Sequence, residues 1–269
     1  IPPRGASIRF NSYRIGGGAI GNVGRNTLTV LKSSIPYISA VRNSHSAQGG
    51  RDGETLEQAK LRAPRVLRSR NVAITAEDFE ACALDASEQV ARAHCRAAGE
   101  PGGGAPGMVN LIVIPRVPEE DEPVSDDALA FSRTVEEELR RHIEARRPLT
   151  VEVSITSPEY IRVGINATVR PRRGVSDEAI EESIRTAFYR YLHPTCGGPE
   201  ADGWPLERPL FASELMGVLQ RAEGVDFVPE LQVRVFDPQT GLYGQAVASV
   251  DAPAMGILIA GACSITVAR

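Results

Sequence analysis

The chain has 269 residues, 42% hydrophobic and 24% charged, with a formal net charge of -4. That length holds one large domain or two modest ones with real cores, and the slight acidity gives neither nucleic acid nor an anionic membrane reason to be the main partner. No apolar run reaches the ~18 residues of a membrane span.

The four cysteines, Cys82, Cys95, Cys196 and Cys263, are widely spaced and form no C-x-x-C pair. Free thiols in a reducing compartment are expected, not a disulfide framework. The chain opens Ile1-Pro2-Pro3-Arg4, without an initiator Met or a signal-peptide pattern. It is therefore read as the later part of a longer polypeptide.

Residues 7–13 alternate, with Ile8 and Phe10 on one face, and predict a strand. Residues 13–29 interleave Gly and Asn with apolar and hydroxyl positions, a composition that specifies backbone path more than side-chain chemistry. Short strands are expected at 27–31 and 38–42, and a loop at 44–53. Residues 54–68 have helical periodicity through Leu56, Ala59, Ala63 and Leu67, and Pro64 predicts a kink or break there. Arg62, Arg65, Arg68 and Arg70 form a basic face, read either as a solvated surface or as an anchor for acidic partners.

Thr75 caps a short helix at 75–86, with Glu77 and Asp78 at the positive end of its dipole. A strand follows at 89–97, then a Gly-rich connector at 99–107. The run Leu111-Ile-Val-Ile114 suits a strand buried on both faces. After an acidic loop at 117–124, Ser125 caps a long helix to about 145, striped by Phe131, Val135, Leu139 and Ile143. Strands are expected around 151–155 and 160–170, a helix at 176–192, a Gly/Pro-rich loop at 193–209 and a helix at 213–222. Further strands follow at 227–236, 246–250 and 263–267. Strands and helices mix without regular βαβα alternation. This predicts an α+β fold of two-layer mixed sheet/helix modules with split-βαβ, ferredoxin-like character. The expected divisions are 1–70, 71–157 and 158–269.

Little here assembles chemistry. Gly16, Gly18 and Gly21 match G-x-G-x-x-G, but no convincing helix opens behind them and no acidic residue ends a strand ~20 residues on. His94-Cys95 and His193-Pro194-Thr195-Cys196 are the only His/Cys neighbours, too few for a tetrahedral zinc site. Loop anchoring and core packing are the better readings. No enzyme, cofactor or metal is expected.

Four segments carry a resemblance. The first joins Tyr13-Arg14-Ile15-Gly16-Gly17-Gly18-Ala19-Ile20-Gly21-Asn22-Val23 to Thr27-Leu28-Thr29. The second runs from Ala47 through Gly49-Gly50 and Asp52 to Leu56, then Arg62-Ala63-Pro64. The third is Ala73 to Phe79 with Val90 to Ala93. The fourth holds His193-Pro194, Gly197-Gly198-Pro199, Gly203-Trp204-Pro205, Ser213-Glu214-Leu215 and Gly224-Val225-Asp226. Together they resemble the baseplate J-like family, wedge proteins of contractile phage tails and extracellular contractile injection systems.

The resemblance implies a structural, non-catalytic subunit. Its partners would be other wedge subunits, including a second wedge paralogue, the hub and spike, and the sheath-initiating proteins, in a six-fold ring. It implies assembly in the bacterial cytoplasm and then residence in the particle, with no nucleic acid bound and no membrane insertion. The motif positions, Gly16, Gly17, Gly18, Gly21, Asn22, Gly49, Gly50, His193, Pro194, Gly197, Gly198, Ser213 and Glu214, would serve structure. Trp and Arg are enriched at interface hot spots, so Arg14, Arg62, Arg65 and Trp204 are the candidate subunit contacts. Packing under its own loop is the equal alternative for Trp204. The competing classes are a receptor- or carbohydrate-binding tail module and a tail-associated hydrolase.

Overall fold

Hydroxyl side chains decide where most of the helices begin. In the computed structural model, which describes residues 18–32, 36, 38, 40–47, 50, 52–69, 72–118 and 122–268, the chain divides into two units, Ile1–Arg68 and Ser69–Arg269. Among its described residues the first holds the 3-10 turn Gly18–Gly21 and all but the last residue of helix α1 (Leu56–Ser69), which continues through Pro64 although the missing N–H leaves one intrahelical bond unmade. The strand expected at 7–13 lies outside the described residues. Those expected at 27–31 and 38–42 do not form among the described residues there. Asparagine side chains take up backbone groups in this stretch, beside two backbone bonds, Asn26 N–H to the Asn43 carbonyl and Ala47 N–H to the Val23 carbonyl.

The second unit contains two main sheets. In the first half, Thr75 opens helix α2 (Ala76–Ala86) with a reciprocal capping box to Asp78. Strand β1 (Val90–Arg96) runs antiparallel to β2 (Met108–Pro115), and β2 runs parallel to β3 (Glu152–Thr156). The expected long helix after Ser125 is two helices, α3 (Asp126–Leu129) and α4 (Arg133–Glu144). Ser132 supplies a second cap, accepting from the Val135 N–H, after Ala130 takes an extended backbone. Val135, Leu139 and Ile143 of α4 pack with Phe79 and Ala83 of α2 over Leu111 and Val113 of β2.

In the second half the sheet order is β7-β6-β4-β9, with β4 (Glu159–Pro171), β6 (Val225–Asp237), β7 (Leu242–Tyr243) and β9 (Gly256–Val267). Strand β4 pairs antiparallel with β6 and parallel with β9. Helix α5 (Asp177–Tyr191), capped by Ser176, and helix α6 (Ala212–Gln220) supply Ile180, Ile184, Phe188, Leu215 and Leu219 to the core over this sheet. A two-stranded pair, β5 (Leu210–Phe211) with β8 (Ser249–Val250), adds Leu210 and Val250 to the same core. Gly164 lies where the register of β4 against β9 shifts, and a Cβ there would come 2.5 Å from the Tyr243 ring.

The α+β class is as expected, with its detail corrected. Each parallel pair, β2 with β3 and β4 with β9, is directly adjacent, so neither is a split-βαβ unit. Strand β2 is the shared wall of the unit. Its run 111–114 is buried throughout, with Leu111 and Val113 in the first core and Ile114 in the second. Burying each such side chain contributes about 1.5–3 kcal/mol, so the two halves are joined by packing as well as by chain. No helix among the described residues is long and apolar enough to cross a membrane.

Candidate functional site

The Gly/Asn motif of the first unit is a backbone clasp. The Asn22 carboxamide donates to the Gly50 carbonyl at 2.9 Å and accepts from the Gly50 N–H at 2.7 Å. A Cβ on Gly50 would stand 2.1 Å from the Gly18 carbonyl oxygen, so only glycine fits there. Asn43 acts similarly, donating to Gly24 and His45 carbonyls and accepting from the Leu28 N–H. Gly21 has open space around it. Arg14, Gly16, Gly17 and Gly49 lie outside the described residues. Arg62 and Arg65 fall on α1, and their side chains lie outside the description.

The second cluster is the loop 193–209, which leaves the end of α5 and folds back on itself. The Gly197 and Trp204 N–H groups both donate to the His193 carbonyl, Gly198 N–H to Tyr191, and Gly203 N–H to Gly197. The Trp204 ring is 0% exposed. Tyr191 meets it edge-on at 5.5 Å, and the Arg208 guanidinium lies 4.7 Å over its face. Its indole N–H donates to the Arg208 carbonyl at 3.3 Å. Glu214 accepts from both Arg208 and the Tyr191 hydroxyl. Burial, then the hydrogen bond to Glu214, push the Tyr191 phenol up to about 12. Ser213 sits in the first turn of α6, whose start has no side-chain cap bond.

This geometry corrects one expectation. Trp204 is not a surface contact; its ring is enclosed by its own chain, the packing alternative named for it. The sequence reading also missed the residues that hold the loop from outside. Arg92 of β1 donates to the Pro194 and Trp204 carbonyls at 3.0 and 2.8 Å. Arg96 pairs with Glu207 at 2.9 Å, and Glu207 also accepts from the Met255 N–H. A signal was available: Arg92 and Arg96 are two basic residues four apart on β1, so strand alternation puts both on one face, with His94 between them.

Next to the loop, α5 and α6 border an open cleft of about 700 Å³ lined by Glu182, Thr186, Arg190, Cys196 and Arg221, among others. Among the described residues no group of three or more His, Cys, Asp or Glu side chains is placed to hold a metal. Both clusters bind backbone to side chain, so the chemistry on view is chiefly that of fixing shape.

No protein-family model matches the chain, and no curated protein matches it. Among solved structures, it is similar to a chain of the six-fold symmetrised anti-feeding prophage (AFP) baseplate determined by cryo-EM. The TM-score is 0.51 and the identity 18%, covering 86% of this chain and 47% of that one. The chain thus spans about half the length of that neighbour, and the likeness is one of fold.

Proposed function

We propose that this chain is a structural subunit of the baseplate of a contractile, phage-tail-like particle, and that it acts by assembly and not by catalysis. The observation that carries this reading is the fold shared with the AFP baseplate chain over 86% of the present chain. The finer position, a wedge subunit making contacts within and between wedges of a six-fold ring around hub and spike, rests on the motif resemblance.

The first unit supports an assembly role. None of its described residues is buried, yet it carries large apolar side chains. Ile20 is 88% exposed, Val30 81% and Leu67 77%. Apolar side chains left this exposed are consistent with a surface that a partner covers. With Trp204 enclosed, the chain's one Trp is also unavailable as a sugar-stacking platform, which disfavours a carbohydrate-binding module. Arg14, Arg62 and Arg65 stay as candidate contacts.

The test is a purified particle from cells producing the full baseplate, imaged with this chain tagged. Six-fold density for the tag in the ring around the spike is the expected result. A complete baseplate that forms without the chain overturns the proposal. Substituting Ile20, Val30 and Leu67 by Ser should lower incorporation while leaving the melting of the Ser69–Arg269 unit unchanged.

A further inference from the structure

Strand β9 is an edge of its sheet: β4 pairs with one side of it, and no described strand pairs with the other. The Ala268 N–H donates to the Val169 carbonyl of β4. The register is unbroken from Cys263 to Val267, so with a period of two Ser264 and Thr266 also aim their backbone groups at β4. Those of Cys263, Ile265 and Val267 point outward, and none of them has a hydrogen-bond partner among the described residues. Comparable groups nearby are answered. The Ala262 N–H donates to the Tyr243 hydroxyl, and on β1 the Cys95 N–H donates to the Glu80 carboxylate. Folded proteins blunt a free edge with charge, proline or brevity. Strand β9 is 12 residues long, and its stretch 263–267, Cys-Ser-Ile-Thr-Val, contains neither charge nor proline.

The two faces beside this edge differ. Ser264 and Thr266 are exposed on one. On the other, Cys263, Ile265 and Val267 pack half-buried against the core that includes Ile180, Ile184 and Phe188 of α5. On that helix side, Glu122, Glu178, Glu181, Glu182, Arg185 and Tyr189 line an open pocket. The pocket adjoins the edge. Burial pushes the Cys263 thiol up to about 11 with Arg185 opposing, and burial followed by Cys263 pushes the Tyr189 phenol up to about 12. Four carboxylates face one guanidinium there, so the pocket favours cations. Tyr189 is 7% exposed, and its hydroxyl has no hydrogen-bond partner among the described residues.

We propose that β9 takes an added strand along 263–267 from a partner whose extended segment carries Lys or Arg at alternate positions. Backbone pairing to Cys263, Ile265 and Val267 gives the affinity, and the alternate side chains give the choice of partner. The basic residues lay their apolar stems beside Ile265 and Val267 and carry their charged ends to the carboxylates of the pocket. The Tyr189 oxygen accepts from one of them. A second copy of this chain is the poorer occupant. Pairing β9 with itself would set two acidic pockets side by side, and like charges so placed repel. The edge takes such a strand whether or not the chain belongs to a baseplate.

The experiment titrates the full chain into a labelled peptide of alternating Thr and Lys, about ten residues long, with a Thr/Glu peptide as control. Fluorescence anisotropy should show binding of the first and not the second. Hydrogen exchange should slow at the amides of Cys263, Ile265 and Val267 in the complex, while Ser264 and Thr266, already bonded to β4, change little. Ile265→Pro removes an outward donor without breaking the β4 ladder and should weaken binding ~10-fold or more. Glu178→Gln combined with Glu181→Gln should weaken it comparably with the melting temperature unchanged. If Ile265→Pro unfolds, the glutamate pair and the exchange pattern decide. Absence of binding, equal binding of the Thr/Glu peptide, or binding without slowing at those alternate amides overturns the proposal. Dimerisation of the chain alone with the same amides protected would put a second copy on the edge, and overturns the basic partner.

Discussion

Asn22 and Gly50, 28 residues apart in sequence, exchange two hydrogen bonds as if one were a strand and the other its partner. The carboxamide presents one of its two N–H donors and its carbonyl oxygen side by side, so it can answer both backbone groups of Gly50 at once. Asn22→Asp keeps the acceptor but replaces the donor with an oxygen facing the Gly50 carbonyl. The variant should speed proteolytic cleavage within 18–50 several-fold while the melting temperature of the Ser69–Arg269 unit stays put. Equal cleavage rates in wild type and variant would show that the clasp does not hold this segment.

Arg92 makes the corresponding bond in the second unit. Its guanidinium is desolvated by burial, which lowers its pKa, with Asp202 opposing. One nitrogen, Nη1, serves two carbonyls. Arg92→Ala strands both, and hydrogen bonds to a charged donor are worth about 1.5–3 kcal/mol each, so a loss of about 3 kcal/mol is expected in urea unfolding. Gly203 stands between the same groups. Its φ is +102°, and an added Cβ would lie 2.4 Å from the Pro194 oxygen and 2.6 Å from Arg92 Nη1. Gly203→Ala should therefore cost about as much as Arg92→Ala. The double variant should cost less than the sum, because both break one contact set. Full additivity would separate the two positions.

Trp204 distinguishes a folding residue from an assembly residue. It is enclosed, stacked by Arg208 and hydrogen-bonded through its indole N–H. Removing a buried aromatic of this size costs about 3–5 kcal/mol. Trp204→Ala should lower stability of the isolated chain by that amount, and any assembly defect should follow from it. Trp204→Phe should recover part of the loss. A Trp204→Ala chain with unchanged unfolding but failed assembly would reinstate the ring as a direct contact.

These residues show what the sequence could and could not disclose. Periodicity and caps placed the helices opened by Thr75 and Ser176, and the alternation at 160–170 placed β4, because those signals are local. Ser132 was overlooked because the apolar stripe through Phe131 and Val135 reads as continuous helix until the second cap is weighed. The apolar start of β9 has no alternation, since it is buried on both sides. The Gly and Asn motif announced a specified backbone path, which Asn22 and Gly50 supply. Arg92, Arg96 and Glu207 escaped notice because their partners lie more than 100 residues away for both arginines, and no spacing rule reaches that far.

Alkaline pH probes the same core from another side. Burial raises the phenol pKa of Tyr160, and pushes Tyr189 and Tyr191 up to about 12. Unfolded tyrosines ionise near pH 10 (about the model-peptide value), so above it the folded state holds more protons than the unfolded one. Stability from these groups is fully present below pH ~10 and is lost as pH climbs toward about 12, since the slope of unfolding free energy with pH is negative wherever the folded chain binds more protons. The urea midpoint should fall steadily across that window, and phenolate absorbance from these three residues should rise together with loss of near-ultraviolet dichroism. Tyr191→Phe should make the decline shallower, because it removes one of the raised groups along with its bond to Glu214. Phenolate signal from all the tyrosines near pH 10 with the dichroism intact would mean that the hydroxyls of Tyr160, Tyr189 and Tyr191 are open to water.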